Sequence, residues 1–284
     1  MGAILTVLIP LLGIITHVTQ WTNTPGVGRN ELAARNQLLE QRIKEMEAYV
    51  QRANEAVEKM KSPPSTALAL SDGELQRLKD KMGFHSEHYN FAVAGESGKG
   101  KSSIINAIAQ KKLCKVGEIE TTRIPQEVKL SDHLSLWDLP GGNTMNHPAA
   151  TYVDDFGLKA FDVVILVTDN RFTEFDVGLQ KILSAAGVPV FLVRNKADQA
   201  FQSLADRMDL SNDSPVEDLM KVMDTIRRSV TQYAMHNFPK NVPLYIVSAR
   251  HMMYPAKLVY GIAAIQFDES KFLTDVAMAG TRRA

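Results

Sequence analysis

The sequence predicts an α/β protein, a mostly parallel doubly wound sheet preceded by a helical extension and an apolar N-terminal segment. Three observations predict it. From about Ser86 onward, apolar strand-like runs alternate with helical ones, as in a parallel sheet with helices on both faces. The run Phe91-Ala-Val-Ala-Gly95-Glu-Ser-Gly-Lys-Gly100-Lys101-Ser102-Ser103 passes from an apolar strand through a glycine-rich turn into a helix. Later strands end in Asp138-Leu-Pro-Gly141, Asn195-Lys196-Ala-Asp198 and Ser248-Ala249-Arg250, which are acidic, glycine-containing or small-residue turns.

The chain of 284 residues is long enough for one α/β domain with a helical extension, and its 45% hydrophobic content supplies a sizeable core. Lys+Arg and Asp+Glu balance at 32 each, so no global field draws the protein to nucleic acid, and nucleic-acid binding is not expected. The single Cys114 has no internal disulfide partner, which suits a reducing setting, and it reads as a small apolar residue at a helix end.

Residues 1–28 read as a membrane-associating segment. Gly2 to Gly28 contain no Asp, Glu, Lys or Arg, and Trp21 follows a nearly continuous apolar core. That core is shorter than the ~20 residues a spanning helix needs, and Pro10 and Gly13 interrupt it, so interfacial insertion competes with a true span. Met1-Gly2-Ala-Ile-Leu-Thr6 also fits the N-myristoylation pattern at Gly2. The expectation is a membrane-associated protein whose nucleotide domain faces the cytosol.

Residues 29–62 predict a heptad helix. Leu32, Leu39, Met46, Ala53 and Met60 hold one register and Ile43, Val50 and Val57 the other, with Arg35/Glu40 and Arg42/Glu47 flanking the seam. The partner is either a second copy or a helix of the same chain. Residues 63–85 form a linker and a short helix, Glu74 to Met82, stopped by Gly83.

Residues 86–284 carry the sheet. Strands are predicted near Tyr89–Ala94, Gln126–Leu130, Leu134–Trp137, Asp162–Thr168, Val188–Arg194 and Leu244–Val247, with helices near Lys101–Gln110, Thr151–Lys159, Glu174–Ala186, Val216–Ala234 and Lys271–Ala279.

Gly95-Glu96-Ser97-Gly98-Lys99-Gly100-Lys101-Ser102 is the phosphate-binding-loop pattern. Its backbone N–H groups, with those of the helix start through Ser103, face a polyphosphate. Lys101 reaches the β- and γ-phosphates, and the Ser102 hydroxyl ligates Mg²⁺. Asp138, at a strand's carboxyl end, is placed to order the same ion, and the Gly141 N–H to sense the γ-phosphate. In the loop Gly117 to Pro125, Thr122 is the preferred hydroxyl to close over Mg²⁺, with Thr121 in reserve. Asp198 can accept two hydrogen bonds from the Watson–Crick edge of guanine, which adenine cannot offer, so Asn195-Lys196-x-Asp198 selects GTP over ATP. Ser248 and Ala249 offer backbone that can reach the guanine O6.

With these residues in hand, the chain resembles the immunity-related GTPases, the interferon-inducible p47-type branch of the P-loop GTPases near dynamins. The points of contact are the phosphate loop, Trp137-Asp-Leu-Pro-Gly141, Thr151-Tyr-Val, Arg171-Phe-Thr-Glu-Phe-Asp176, Val193-Arg-Asn-Lys-Ala-Asp198 and Phe272-Leu273. The resemblance covers roughly Ser86 to Phe272. It implies a G domain, GTP or GDP with Mg²⁺, hydrolysis of GTP, assembly into a homodimer or oligomer, and action at membranes. Members typically have Thr where Asn195 stands.

Gly142 occupies the position where small GTPases place a water-orienting Gln, so slow intrinsic hydrolysis is expected, the missing group coming from a second G domain or from Lys99 or Ser97. The alternative is a membrane-anchored coiled-coil scaffold that binds GTP as a regulatory ligand.

Overall fold

The computed structural model describes residues 70–85, 88–116, 124–144, 151–211, 214–254 and 267–280. The apolar N-terminal segment, the heptad helix, most of the linker, and both Thr121 and Thr122 lie outside the described residues.

The helix α1 (Asp72–Met82) opens on a capping box in which Ser71 and Glu74 satisfy each other's backbone N–H groups, and Gly83 closes it. Strand β1 (Tyr89–Ala94) runs into α2 (Lys101–Ala109), and β2 (Gln126–Ser131) with β3 (Leu134–Asp138) forms a hairpin. The short helix α3 (Tyr152–Asp155) precedes β4 (Val163–Thr168) and α4 (Glu174–Ala185). Then come β5 (Val190–Arg194), α5 (Ala197–Arg207), α6 (Val216–Asn237), β6 (Leu244–Ile246), α7 (Ala249–Met253) and α8 (Glu269–Ala279).

The sheet order is β2-β3-β1-β4-β5-β6, parallel except for the antiparallel β2–β3 pair. After β1 the chain lays β2 at the edge on one side and returns with β3 beside β1, then crosses to build β4, β5 and β6 on the other. The carboxyl end of β1 is therefore the topological switch point, where an open α/β sheet leaves a crevice for a ligand.

Alternation along the central strands supplies a core on each face. Phe91, Val93, Ile165, Val167 and Val193 pack with Ile104 and Ile105 of α2 and Phe272 of α8. Ala92, Ala94, Val164, Leu166 and Leu192 pack on the other face with Tyr152, Phe175 and Leu179. A smaller cluster joins Phe201 and Ala205 of α5 to Leu219, Val222 and Ile226 of α6.

The doubly wound sheet is as expected, with three differences. The predicted helix Thr151–Lys159 is broken: α3 ends at Asp155, Gly157 takes φ +57°, and a 3₁₀ turn follows over Leu158–Ala160. Strand β5 begins at Val190 rather than Val188, because the Val188 N–H closes the end of α4 on the Leu183 carbonyl and Pro189 has no N–H to give. Helices α5 and α7 were not anticipated; α5 occupies the stretch read only as a base-recognition turn.

Candidate functional site

The turn after β1 depends on Gly95. Its φ is +138°, and a Cβ there would lie 2.3 Å from the Val167 carbonyl oxygen on β4, so a side chain is excluded by backbone conformation and by space. The turn delivers the chain to the N-terminus of α2, where unsatisfied N–H groups and the helix dipole favour an anion. Lys101, the first residue of α2, is only 7% exposed, and its Nζ donates to the carbonyls of Gly95 at 3.2 Å and Glu96 at 3.0 Å. A buried ammonium arched over the loop that carries it is the complement of a polyphosphate.

Next to it, the Ser102 Oγ donates to Asp138 Oδ2 at 2.6 Å. Asp138 is buried at the carboxyl end of β3. One hydroxyl and one carboxylate, both hard oxygens beside the phosphate cradle, fit Mg²⁺, which takes few protein ligands and completes its octahedron with phosphate and water oxygens.

The segment after β3 lies directly on the loop. Gly142 donates its N–H to the Gly95 carbonyl at 3.1 Å, and a Cβ on Gly141 would meet the Ser97 backbone at 2.7 to 2.8 Å. A Cβ on Gly142 would lie 2.2 Å from the ring of Phe175. Tyr152 anchors the segment through its hydroxyl, which donates to the Pro140 carbonyl at 2.7 Å, and its ring meets Phe175 edge-on at 5.3 Å. Glu96 Oε1 accepts from Asn143 Nδ2 at 2.8 Å and from the Thr173 hydroxyl at 3.2 Å. Close by, burial pushes the Asp176 carboxyl up to about 6, against the opposing hydrogen bond from the Thr173 N–H.

Lys99 and Lys196 meet on one carboxylate. Lys99 Nζ reaches Asp169 Oδ1 at 2.9 Å, and Lys196 Nζ reaches Oδ2 at 2.7 Å while also donating to the Gly98 carbonyl at 3.0 Å. Burial alone would raise the Asp169 carboxyl, but the two ammonium contacts outweigh it and hold it below the ordinary range. Lys99 is thus drawn toward Asp169, away from a role as a lone charge over the phosphates.

Asn195 ties the two ends of the crevice together. Its Nδ2 donates to the Lys99 carbonyl at 3.3 Å, and its Oδ1 accepts the Ala249 N–H at 3.1 Å. Asp198 is buried in the first turn of α5, and the Ser248 hydroxyl caps α7 by accepting the His251 N–H. Gly95 through Ser103, Asp138, Gly141, Asn195, Lys196, Asp198, Ser248 and Ala249 therefore converge on the carboxyl edge of one sheet.

The model of the interferon-inducible GTPase family matches residues 65–255. The chain belongs to this family. It is 28% identical over 172 residues to Interferon-inducible GTPase 1 of Mus musculus, covering 58% of this chain and 40% of that protein. To Immunity-related GTPase family M protein of Rattus norvegicus it is 27% identical over 198 residues, covering 65% of this chain and 45% of the relative. The chain thus spans less than half the length of these curated relatives. A solved structure, that of a probable GTP-binding protein engB, aligns with 69% of this chain and 99% of its own at 16% identity and a TM-score of 0.41.

In this member of the interferon-inducible GTPase family, several site residues escape a motif-based reading. Asp169 directly follows β4, and an acidic residue at the carboxyl end of a central strand is the signal that marks it. Tyr152 and Phe175 act by packing, which no local spacing announces. Cys114 was read as a small apolar residue, and it is buried; its thiol also lies beside Asp138, and burial, reinforced by that carboxylate, pushes it up to about 12. It is a neutral thiol at the back of the Ser102–Asp138 pair rather than a thiolate.

Proposed function

We propose that this chain binds GTP with Mg²⁺ and hydrolyses it to GDP and phosphate, at a membrane surface and with the help of a second copy. The observation that carries the reading is the Ser102–Asp138 contact of 2.6 Å beside the buried Lys101, with Asn195 and Asp198 at the other end of the same crevice. Phosphoryl transfer asks for positioning and charge stabilisation more than covalent chemistry. Lys101 would neutralise β- and γ-phosphate oxygens once drawn off the Gly95 and Glu96 carbonyls. Mg²⁺ held by Ser102 and Asp138, with Thr122 as a further ligand, would supply neutralising charge between the same phosphates. Asp198 would accept the guanine N1–H and N2–H, and Asn195 would keep phosphate loop and base turn in register.

What these residues do not supply is a group to orient the attacking water. Gly142 has no side chain, and Lys99 is held by Asp169. A second G domain across the nucleotide face is the natural donor, with the heptad pattern of residues 29–62 raising its effective concentration and residues 1–28, with a lipidated Gly2 as a second anchor, confining both copies to a membrane.

Turnover measured against protein concentration tests the reading. Specific activity should rise with concentration, with GTP competing for the site far better than ATP. Equal competition by ATP would overturn the guanine assignment. Flat specific activity would favour the scaffold alternative, in which GTP is a regulatory ligand.

A further inference from the structure

Strand β6 is the outer edge of the sheet, three residues long, and the base turn Ser248–Ala249 hangs from its end. An edge that short has little to hold it, since among the described residues only β5 pairs with it. The start of α8, more than twenty residues further along the chain, takes over the open side. Asp268 accepts the Ile246 N–H on Oδ2 and returns its own N–H to the Ile246 carbonyl, both at 2.8 Å, so it mimics a ladder partner. Arg227 of α6 pins the same carboxylate, Nη1 to Oδ1 at 2.8 Å.

The next residue goes one step further. Glu269 is 5% exposed, and its Oε1 accepts the Ser248 N–H at 2.9 Å, from the side of the turn opposite Asn195. Its Oε2 is buried with no hydrogen-bond partner among the described residues. Burying a carboxyl group with one oxygen unsatisfied costs stability, and an apolar residue would seal this helix start more cheaply. Its bond to the Ser248 N–H falls on the turn proposed to read the guanine C6 edge.

We propose that Glu269 is a specificity-positioning residue: by holding the Ser248 N–H it fixes the turn, so that the N–H groups after Ser248 face the guanine O6 at the correct distance. Asn195 and Glu269 then hold consecutive N–H groups of the turn, Ala249 from the end of β5 and Ser248 from the start of α8. The proposal rests on the guanine-binding reading above. It adds that the C6 edge is read only as well as α8 holds the turn.

The test compares GDP, 6-thio-GDP, xanthosine diphosphate and ADP by displacement of a fluorescent GDP from the full chain and from Glu269→Ala, Glu269→Asp and Glu269→Gln. 6-Thio-GDP changes only the C6 acceptor, and xanthosine diphosphate changes the C2 edge that Asp198 faces. In Glu269→Ala the preference for GDP over 6-thio-GDP should shrink about three- to tenfold, the worth of one hydrogen bond. The preference for GDP over xanthosine diphosphate should hold. Glu269→Gln keeps an acceptor for the Ser248 N–H and should restore the parent ratio. Glu269→Asp retracts the acceptor by one methylene and should behave as Glu269→Ala, which decides the matter if the alanine variant does not fold. A GDP to 6-thio-GDP ratio equal to the parent's in both Glu269→Ala and Glu269→Asp, whatever their melting temperatures, would overturn the proposal. A parent that prefers GDP over ADP but ignores the sulfur substitution would overturn it too. A parent that binds ADP as well as GDP would instead sink the guanine reading itself.

Discussion

The two ends of the crevice are built on different principles. At the phosphate end the loop closes on itself, although Ser102 also reaches Asp138 across 36 residues: one turn brings Gly95, Glu96, Lys101 and Ser102 together, and the acceptors for Lys101 are the loop's own carbonyls. At the base end Ser248 and Ala249 are held by Glu269 and Asn195, side chains 21 and 54 residues away. The first is a backbone device that tolerates no Cβ, and the second is a set of side-chain latches on an edge strand. Loss of a glycine should therefore cost the fold, whereas loss of a latch should cost discrimination.

The sharpest way to break the comparison is Gly95→Ala. With φ at +138° and the Val167 oxygen 2.3 Å from the new Cβ, the variant should lose about 3 kcal/mol or more of stability. Urea unfolding with an unchanged midpoint would show that the turn is slack. Next comes Lys101→Ala, which removes the buried charge while sparing the backbone. GTP affinity by calorimetry should fall about 10- to 150-fold, the worth of a charge-assisted contact. Binding as tight as the parent's would refute the role given to Lys101.

At the base end, Asp198→Asn turns an acceptor-only group into one with donors. Preference should move toward xanthine nucleotides by about tenfold or more, with phosphate contacts unaffected. A nucleotide preference that does not move would mean that the buried Asp198 carboxylate does not face the base.

The buried latch also carries a pH signature. Burial raises the Glu269 carboxyl to about 7 from an ordinary 4.5, with Asp268 adding to the effect and the N–H groups of Ser248, Glu269 and Phe267 opposing it. The folded state then holds a proton that the unfolded chain releases, so stability falls as pH rises from about 4.5 through about 7. The Glu269 contribution to the drop is on the order of 3 kcal/mol, and Glu269→Gln should remove it, leaving the slope that Asp176, itself raised to about 6, adds at lower pH; melting temperature across that range checks this. An identical pH profile in the variant would assign the slope to another group.

Smallest is Asp169→Asn, which joins the two ends. The ammonium contacts it loses are about one-fifth exposed on the carboxylate side and worth at most about 1 kcal/mol together, so nucleotide affinity should weaken about two- to fivefold. An unchanged affinity would mean that Lys99 is placed by its 3.8 Å ion pair with Glu96 and Lys196 by its bond to the Gly98 carbonyl alone.

The same contrast explains what was legible in the sequence. The phosphate loop and its strand were visible because glycine spacing and apolar alternation are local signals, and β1 falls on the predicted residues, Tyr89–Ala94. The mostly parallel, doubly wound sheet followed from alternation of element types, whereas the strand order came only from the structure. Asp169 and Glu269 were missed because each acts across 70 or fewer but never adjacent positions, Lys99 to Asp169 at a separation of 70 and Ser248 to Glu269 at 21. Helix α7 is five residues long, too short for a periodic pattern, and the break at Gly157 needed the backbone rather than the composition.

The packing of Gly142 against Phe175 has a consequence for the mutational paths open to this chain. A side chain at 142 collides with a ring that stacks edge-on with Tyr152, whose hydroxyl in turn holds the Pro140 carbonyl. Installing an internal water-orienting residue there takes at least two concerted substitutions, and the first of either order opens a cavity or a clash. Under the proposal that a second copy completes the site, single-step variation can reach the surfaces where copies would meet far more readily than this position. The rate at which such a protein spends its nucleotide would then be adjustable through whom it encounters, and nearly closed to adjustment from within.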